Sequence, residues 1–241
     1  MTYVSPQVPT VLVIGHRGAS AARPENTVEA FGHAAALGAD WVELDVRRTA
    51  DDQLTVHHDA VLPDGRPIVE VAAADLPPSL PSLVEALDAC AGMGVNIEIK
   101  NERHEPDFDP DDQVARAVAA LLSGATPVLP AGRVLVTSFN PTTIDVVHEQ
   151  APHVPTGRLT ANGHDLDGRI ERAAAAGHVA VNPYDGLVDE HLMEVARGVG
   201  LAVYVWTVDD PDRMRALVEL GVDGIITNVP DVARAVVDRS G

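Results

Sequence analysis

Glu43 and Asp45 stand two residues apart in "WVELDV", and Glu98 and Lys100 repeat that spacing in "VNIEIK". In an extended strand residues i and i+2 share a face, so each pair presents its polar groups together. Two like charges about 4 Å apart repel by ~4 kcal/mol at an effective dielectric near ~20, so converging carboxylates need protons or a cation. Two arrangements meet that need. An all-oxygen set of Glu43, Asp45 and Glu98 suits a hard ion, Mg²⁺ or Ca²⁺, rather than zinc. A salt-bridge network with Lys100 and Arg17 serves equally well without a metal. These residue types alone leave the choice open.

Two histidines accompany the carboxylates. His16 and Arg17 follow the apolar run "VLVIG", and His58 lies in "HHD" after the short extended piece "QLTV". Imidazoles titrate near neutral pH, as general acid–base chemistry requires. Neighbouring residues of an extended chain point opposite ways, so only one of His57 and His58 can face the site and the other faces solvent. The planar fork of Arg17 fits phosphate oxygens and Lys100 supplies a point charge, unless both merely balance the carboxylates. Trp206, in "VYVWTV", fits either the core or the wall of a pocket. Arg23, Arg158 and Asn182 are further candidates for the same region, and nothing local decides among them.

Such groups converge only if a scaffold brings strand ends together. Apolar, β-branched runs at 11–15, 41–46, 95–100, 133–138, 155–160, 178–182, 202–207 and 224–228 read as eight strands with helices between them. Helix starts are marked by Asn26 with Glu29 and Ser82 with Glu85, both capping-box spacings, and by Asn140-Pro141 and Asp210-Pro211. Gly38 and Gly221 mark helix ends. Eight β-then-α units in one chain predict a (β/α)₈ TIM barrel, a single domain over 1–241, whose strand ends open on a common mouth. A doubly wound open sheet fits the same alternation. The proline-rich stretch 59–81 reads as a long loop without aromatic residues, and the acidic run "EPDFDPDD" (105–112) as a solvated one.

Composition narrows the function classes. The formal net charge is −19, with no polybasic run, and aromatic residues make up 3% of the chain. That field repels nucleic acid and anionic lipid, and stacking platforms for bases are scarce. The first ten residues carry no basic or apolar leader, and the single cysteine, Cys90, rules out an internal disulfide. These features predict a cytoplasmic protein that acts on a small molecule. If that molecule is anionic, a metal, Arg17 or Lys100 must hold it.

Taken together, "GHRGASAARPENTVEAF", "ELDV", "HHD", "NIEIK", "VYVWTVDD" and "GVDGIITNVPD" resemble the glycerophosphodiester phosphodiesterase family, over residues 13 to 236. The resemblance implies a (β/α)₈ barrel that hydrolyses glycerophosphodiesters to sn-glycerol 3-phosphate and an alcohol. It places the catalytic histidines on His16 and His58 and the metal carboxylates on Glu43, Asp45 and Glu98. Phosphate and substrate contacts fall on Arg17, Lys100 and Trp206. In the mechanism it implies, the substrate's own 2-hydroxyl attacks phosphorus, the alcohol leaves, and water opens the cyclic phosphate. Asn26 would cap the first helix and Glu25 would order the loop. The chain departs from the family in a shorter insertion after the second strand, and in Asn228, expected to be structural, where an acidic residue is common. A lysophospholipase D-type activity on lysolipids is the nearest alternative, and the acidic, aromatic-poor surface argues against the membrane docking it needs. A Schiff-base aldolase using Lys100 and a binding barrel without catalysis are more distant ones.

Overall fold

The computed structural model of the chain describes residues 11–124 and 132–240. The opening decapeptide, on which the absence of a leader was read, lies outside them. Eight parallel strands form the wall of the fold. They are β1 (Leu12–His16), β2 (Trp41–Arg48), β4 (Gly94–Ile99), β5 (Val134–Ser138), β6 (Thr156–Thr160), β7 (Ala180–Pro183), β8 (Ala202–Val205) and β9 (Gly224–Thr227). Their order is β1-β9-β8-β7-β6-β5-β4-β2, and a β1–β2 pairing closes the ring. Closure excludes the open sheet, and the fold is the (β/α)₈ barrel. The short β3 (Leu54–Val56) adds antiparallel to β2 outside the ring.

Among the described residues eight helices surround the wall: α1 (Val28–Ala36), α2 (Leu83–Ala89), α3 (Gln113–Leu122), α4 (Pro141–Gln150), α5 (Leu166–Ala175), α6 (Glu190–Gly198), α7 (Pro211–Leu220) and α8 (Pro230–Ser240). Three of the start signals act as their residue types dictate. Ser82 and Glu85 form a reciprocal capping box on α2, and Asn140 and Asp210 cap α4 and α7 ahead of proline. Gly38 and Gly221 take left-handed backbone just past α1 and α7. The Asn26–Glu29 box does not form. Thr27 caps α1, while Glu29 pairs with Arg23 on the surface at 2.7 Å.

Outward-facing strand residues such as Val42, Leu44, Ile97 and Val205 pack beneath the helices. They fall into two apolar clusters, one under α1–α4 and the other under α5–α8. The stretch 59–81 is more than a loop. Leu62, Ile68 and Val71 bury a small core of their own, with Leu76 and Leu80 against it, around two single 3₁₀ turns at 68–70 and 73–75. Among the described residues no helix is long and apolar enough to cross a membrane.

Candidate active site

Strand register assembles the carboxylates. Glu43 on β2 lies opposite His16 on β1 and Asn96 on β4, and one step further Asp45 lies opposite Glu98. Side chains of alternate residues point into the barrel, so Glu43, Asp45, Glu98 and Lys100 meet at its C-terminal end. Ligand oxygens of the three acids lie within 4.8 Å of one another, and all three residues are buried.

Their partners differ, and so does the direction in which their surroundings shift them. Lys100 Nζ donates to Glu98 Oε1 at 2.8 Å and lies 3.5 Å from Asp45 Oδ1. Asp45 Oδ2 accepts from Asn26 Nδ2 at 2.8 Å and faces Arg17 Nε at 3.2 Å. Burial works to raise the Asp45 carboxyl, but Lys100, Arg17 and His58 outweigh it and hold Asp45 below the usual range. Glu43 receives one bond, from the Arg17 backbone N–H at 2.9 Å. Burial, then Asp45 and Glu98, push its carboxyl well above the ordinary value. Burial raises Glu98 as well, with Lys100 offsetting part of the effect.

Two buried oxygens, Glu43 Oε1 and Asp45 Oδ1, have no hydrogen-bond partner. Buried polar atoms are rarely left so, and an oxygen-only set with unspent lone pairs fits a hard divalent ion. The salt-bridge network and the cation site are therefore compatible. Lys100 and Arg17 pair with Asp45 and Glu98 from one side, and Glu43 Oε1 and Asp45 Oδ1, neither of which accepts a hydrogen bond, face the space where an ion would sit.

The two histidines flank this cluster. His16 Nδ1 donates to Asn228 Oδ1 at 2.7 Å, and Asn228 is turned that way because its Nδ2 donates to Asp209 at 2.7 Å. The donated Nδ1–H leaves Nε2 as a free base. Burial, then the neighbouring Arg17, lower the pKa of His16, so the ring is neutral near pH 7. His58 donates from Nδ1 to Asp59 Oδ1 at 2.7 Å. Its backbone carbonyl accepts from Arg47 Nε at 2.8 Å. The fully buried Arg47 guanidinium is in turn gripped by Glu105 at 2.8 Å and Asp107 at 2.6 Å. The acidic run is thus an anchor rather than a solvated loop, and Asp109 and Asp112 are buried too. His57 does not line the pocket, and it is half-buried rather than solvent-facing.

A cavity of about 60 Å³ is lined by His16, Arg17, Glu43, His58, Glu98 and Lys100 on a charged side, and by Phe139, Leu159, Trp206 and Ile226 on an apolar one. Trp206 belongs to the wall. Its Nε1–H donates to the Asn182 carbonyl at 2.8 Å, and Phe139 and Tyr184 pack edge-on against the indole at 5.5 and 5.6 Å. Three expected candidates do not line this cavity. Arg23 is engaged on the surface, Asn182 is buried away from the lining, and Arg158 points outward from β6. Lys100 is held above the ordinary lysine range by Glu98 and Asp45 against the opposing effect of burial. A Schiff-base lysine needs the opposite, so the aldolase reading falls.

Residues 16–232 match the profile of the glycerophosphoryl diester phosphodiesterase family. The chain belongs to this family. It is thereby a phosphoric diester hydrolase, as are its named relatives. It is 29% identical to a glycerophosphodiester phosphodiesterase of Caldanaerobacter subterraneus subsp. tengcongensis, over 95% of this chain and 99% of that protein. The crystal structure of a Thermotoga maritima glycerophosphodiester phosphodiesterase superposes with a TM-score of 0.77 at 27% identity, covering 94% of this chain and 97% of that one. An Oleispira antarctica phosphodiesterase, solved with its product sn-glycerol-3-phosphate, shares the fold with a TM-score of 0.84 at 23% identity, covering 94% and 96%.

Within this glycerophosphodiester phosphodiesterase fold, several positioning residues escape a reading of strand ends. Asn26 takes a left-handed φ of 57° and aims its amide at Asp45 instead of capping a helix. Arg47 and Asn228 orient the two histidines. "PENT" and "ITNVPD" carried signals for two of these, but contact with a carboxylate or an imidazole is a tertiary fact.

Proposed function

We propose that this enzyme hydrolyses glycerophosphodiesters to sn-glycerol 3-phosphate and an alcohol. The observation that carries the reading is the pair of orphaned carboxylate oxygens, Glu43 Oε1 and Asp45 Oδ1, set between two separately oriented histidines. Glu43, Asp45 and Glu98 hold a divalent ion, Mg²⁺ or Ca²⁺. When bound, that ion supplies charge neutralisation and a lowered pKa for a coordinated hydroxyl.

The chain's own groups do the rest. Arg17 and Lys100 hold phosphate oxygens, and Trp206 packs along the carbon skeleton. Neutral His16 takes the proton of the substrate's 2-hydroxyl at Nε2 as that oxygen bonds to phosphorus. The bond from phosphorus to the alcohol oxygen breaks, and His58 delivers a proton to that oxygen from Nε2, with Asp59 holding Nδ1–H. Water then opens the cyclic phosphate, losing its proton to His58 while His16 returns one to the 2-hydroxyl. The whole chain, 1–241, acts as one barrel domain on a small molecule, without nucleic acid or stable membrane association. A cytoplasmic setting is part of the proposal, supported by the lone buried thiol of Cys90.

The test is release of glycerol 3-phosphate from soluble glycerophosphodiesters with and without EDTA. Activity should vanish in excess chelator and return with Mg²⁺ or Ca²⁺. Full turnover without metal would overturn the metal reading, and exclusive turnover of a lysolipid would overturn the substrate class.

A further inference from the structure

Barrel strands normally turn apolar residues outward, as β4 does with Val95, Ile97 and Ile99. β6 does not. Its alternation sends Leu159 into the barrel, leaving Thr156, Arg158 and Thr160 on the outer face, and no β6 residue joins either apolar cluster. A groove of about 400 Å³ opens there between α4 and α5. Arg158 projects into it from β6, Arg169 and Arg172 from one face of α5, Asp145 from α4, and His178 from the turn before β7.

Asp145 is the acid that lines the groove. Asp145 accepts from His178 Nε2 at 3.0 Å, while His178 Nδ1 is bonded to Thr156 Oγ1 at 2.8 Å. Arg172 is paired with Asp165 at 2.7 Å. Arg158 Nε is buried with no hydrogen-bond partner, and Arg169 makes no ion pair or side-chain hydrogen bond among the described residues. In a chain of net charge −19 with only 17 lysines and arginines, three guanidiniums share one groove whose lining holds a single acid, Asp145. Burial, and next the charge of Arg169, work against the proton on Arg158, with the Asp145 carboxylate opposing them in part.

We infer that the α4–α5 groove is a second anion site, separate from the barrel mouth, that binds a phosphate group as inorganic phosphate or as a phosphomonoester. Planar guanidiniums arranged to fork around tetrahedral oxygens are the chemistry phosphate selects. The barrel wall lies between the two sites, since Arg158 points out where its neighbour Leu159 points in.

Equilibrium dialysis with inorganic phosphate, and in a second arm with glycerol 3-phosphate, tests the site on the whole chain. Wild type should take up ligand at two classes of site. Arg158→Met should remove one class without changing kcat, and Arg169→Gln, on the helix surface, should weaken that class about tenfold through a lost charge-assisted bond. Arg17→Gln should weaken the other class and leave the groove intact. Groove binding of inorganic phosphate shows that the bare group suffices, and binding of glycerol 3-phosphate alone assigns a phosphomonoester. If Arg169→Gln and Arg158→Met bind both ligands as wild type does, or if wild type shows only the class lost in Arg17→Gln, the inference is wrong. Should Arg158→Met not fold, Arg169→Gln decides alone.

Discussion

At the scale of single residues, the two imidazoles are set up by different neighbours, and their loss should read out differently. Alanine at His16 or at His58 should each lower kcat by about 10² or more, the scale of a lost general acid or base. The double variant should be far less than multiplicatively worse, because the pair works as one unit. His57→Ala should stay within about a few-fold of wild type, since its side chain lies outside the pocket lining. The pH profile follows from the lowered pKa of His16. A base with a depressed pKa is active above it and fails as pH falls through it, so the acid limb of kcat/KM should lie below 6.5. Asn228 opposes that depression through its bond to Nδ1, so Asn228→Ala should move the limb still lower while changing KM little. An unmoved limb would remove Asn228 from the account. The eight residues that the family resemblance singles out sit at or directly behind the pocket; strand alternation aims Glu43, Asp45, Glu98 and Lys100, whereas Arg17 and His58 lie in turns beyond strand ends. What spacing could not supply is who holds them, since Asn26, Arg47 and Asn228 reach their partners from 11 to 212 residues away.

Elements were legible to the degree that their signals are local. Eight apolar runs gave eight barrel strands, and three of four cap signals hold. Asn26 failed as a cap because a buried carboxylate competes for its amide and its backbone turns left-handed, while Thr27 next to it can cap. The acidic run misled because charge alone looks solvated; one buried guanidinium from a strand 58 residues earlier reverses that. This anchor predicts a large effect. Arg47→Met strands Asp107 without its partner and should destabilise the fold by about 3–5 kcal/mol, measurable by urea unfolding. It should also lower kcat, since the His58 carbonyl loses its donors. The turn after β1 is equally constrained. Gly18 has φ +85°, and a Cβ there would lie 2.6 Å from the Ala30 carbonyl carbon, so Gly18→Ala should cost more than about 1 kcal/mol and displace Arg17. An unchanged Tm and KM in that variant would show that the turn tolerates another path.

For the whole molecule, net charge governs how an anionic diester arrives. A field from −19 repels it at long range, while Arg17 and Lys100 act only on contact. Adding salt from about 0.01 to 0.15 M should therefore raise kcat/KM by roughly two- to threefold at low substrate, as the Debye length shrinks. A fall would mean that local cations dominate the approach. The division of the outer shell into two apolar clusters has a different consequence. β2 and β4, under the first, carry Glu43, Asp45 and Glu98, with Lys100, His58 and Phe139 on loops, whereas Leu159 on β6, Trp206 after β8, Ile226 on β9 and the Asn228 amide that steers His16 come later in the chain. The carboxylates, Lys100 and both histidines are thus written into the first half of the gene, and the apolar side of the cavity mostly into the second. Recombination between related barrels at the stretch joining α4 to β6 would exchange the apolar envelope together with the amide that steers His16, so a new leaving-group pocket would arrive with a new setting of one imidazole.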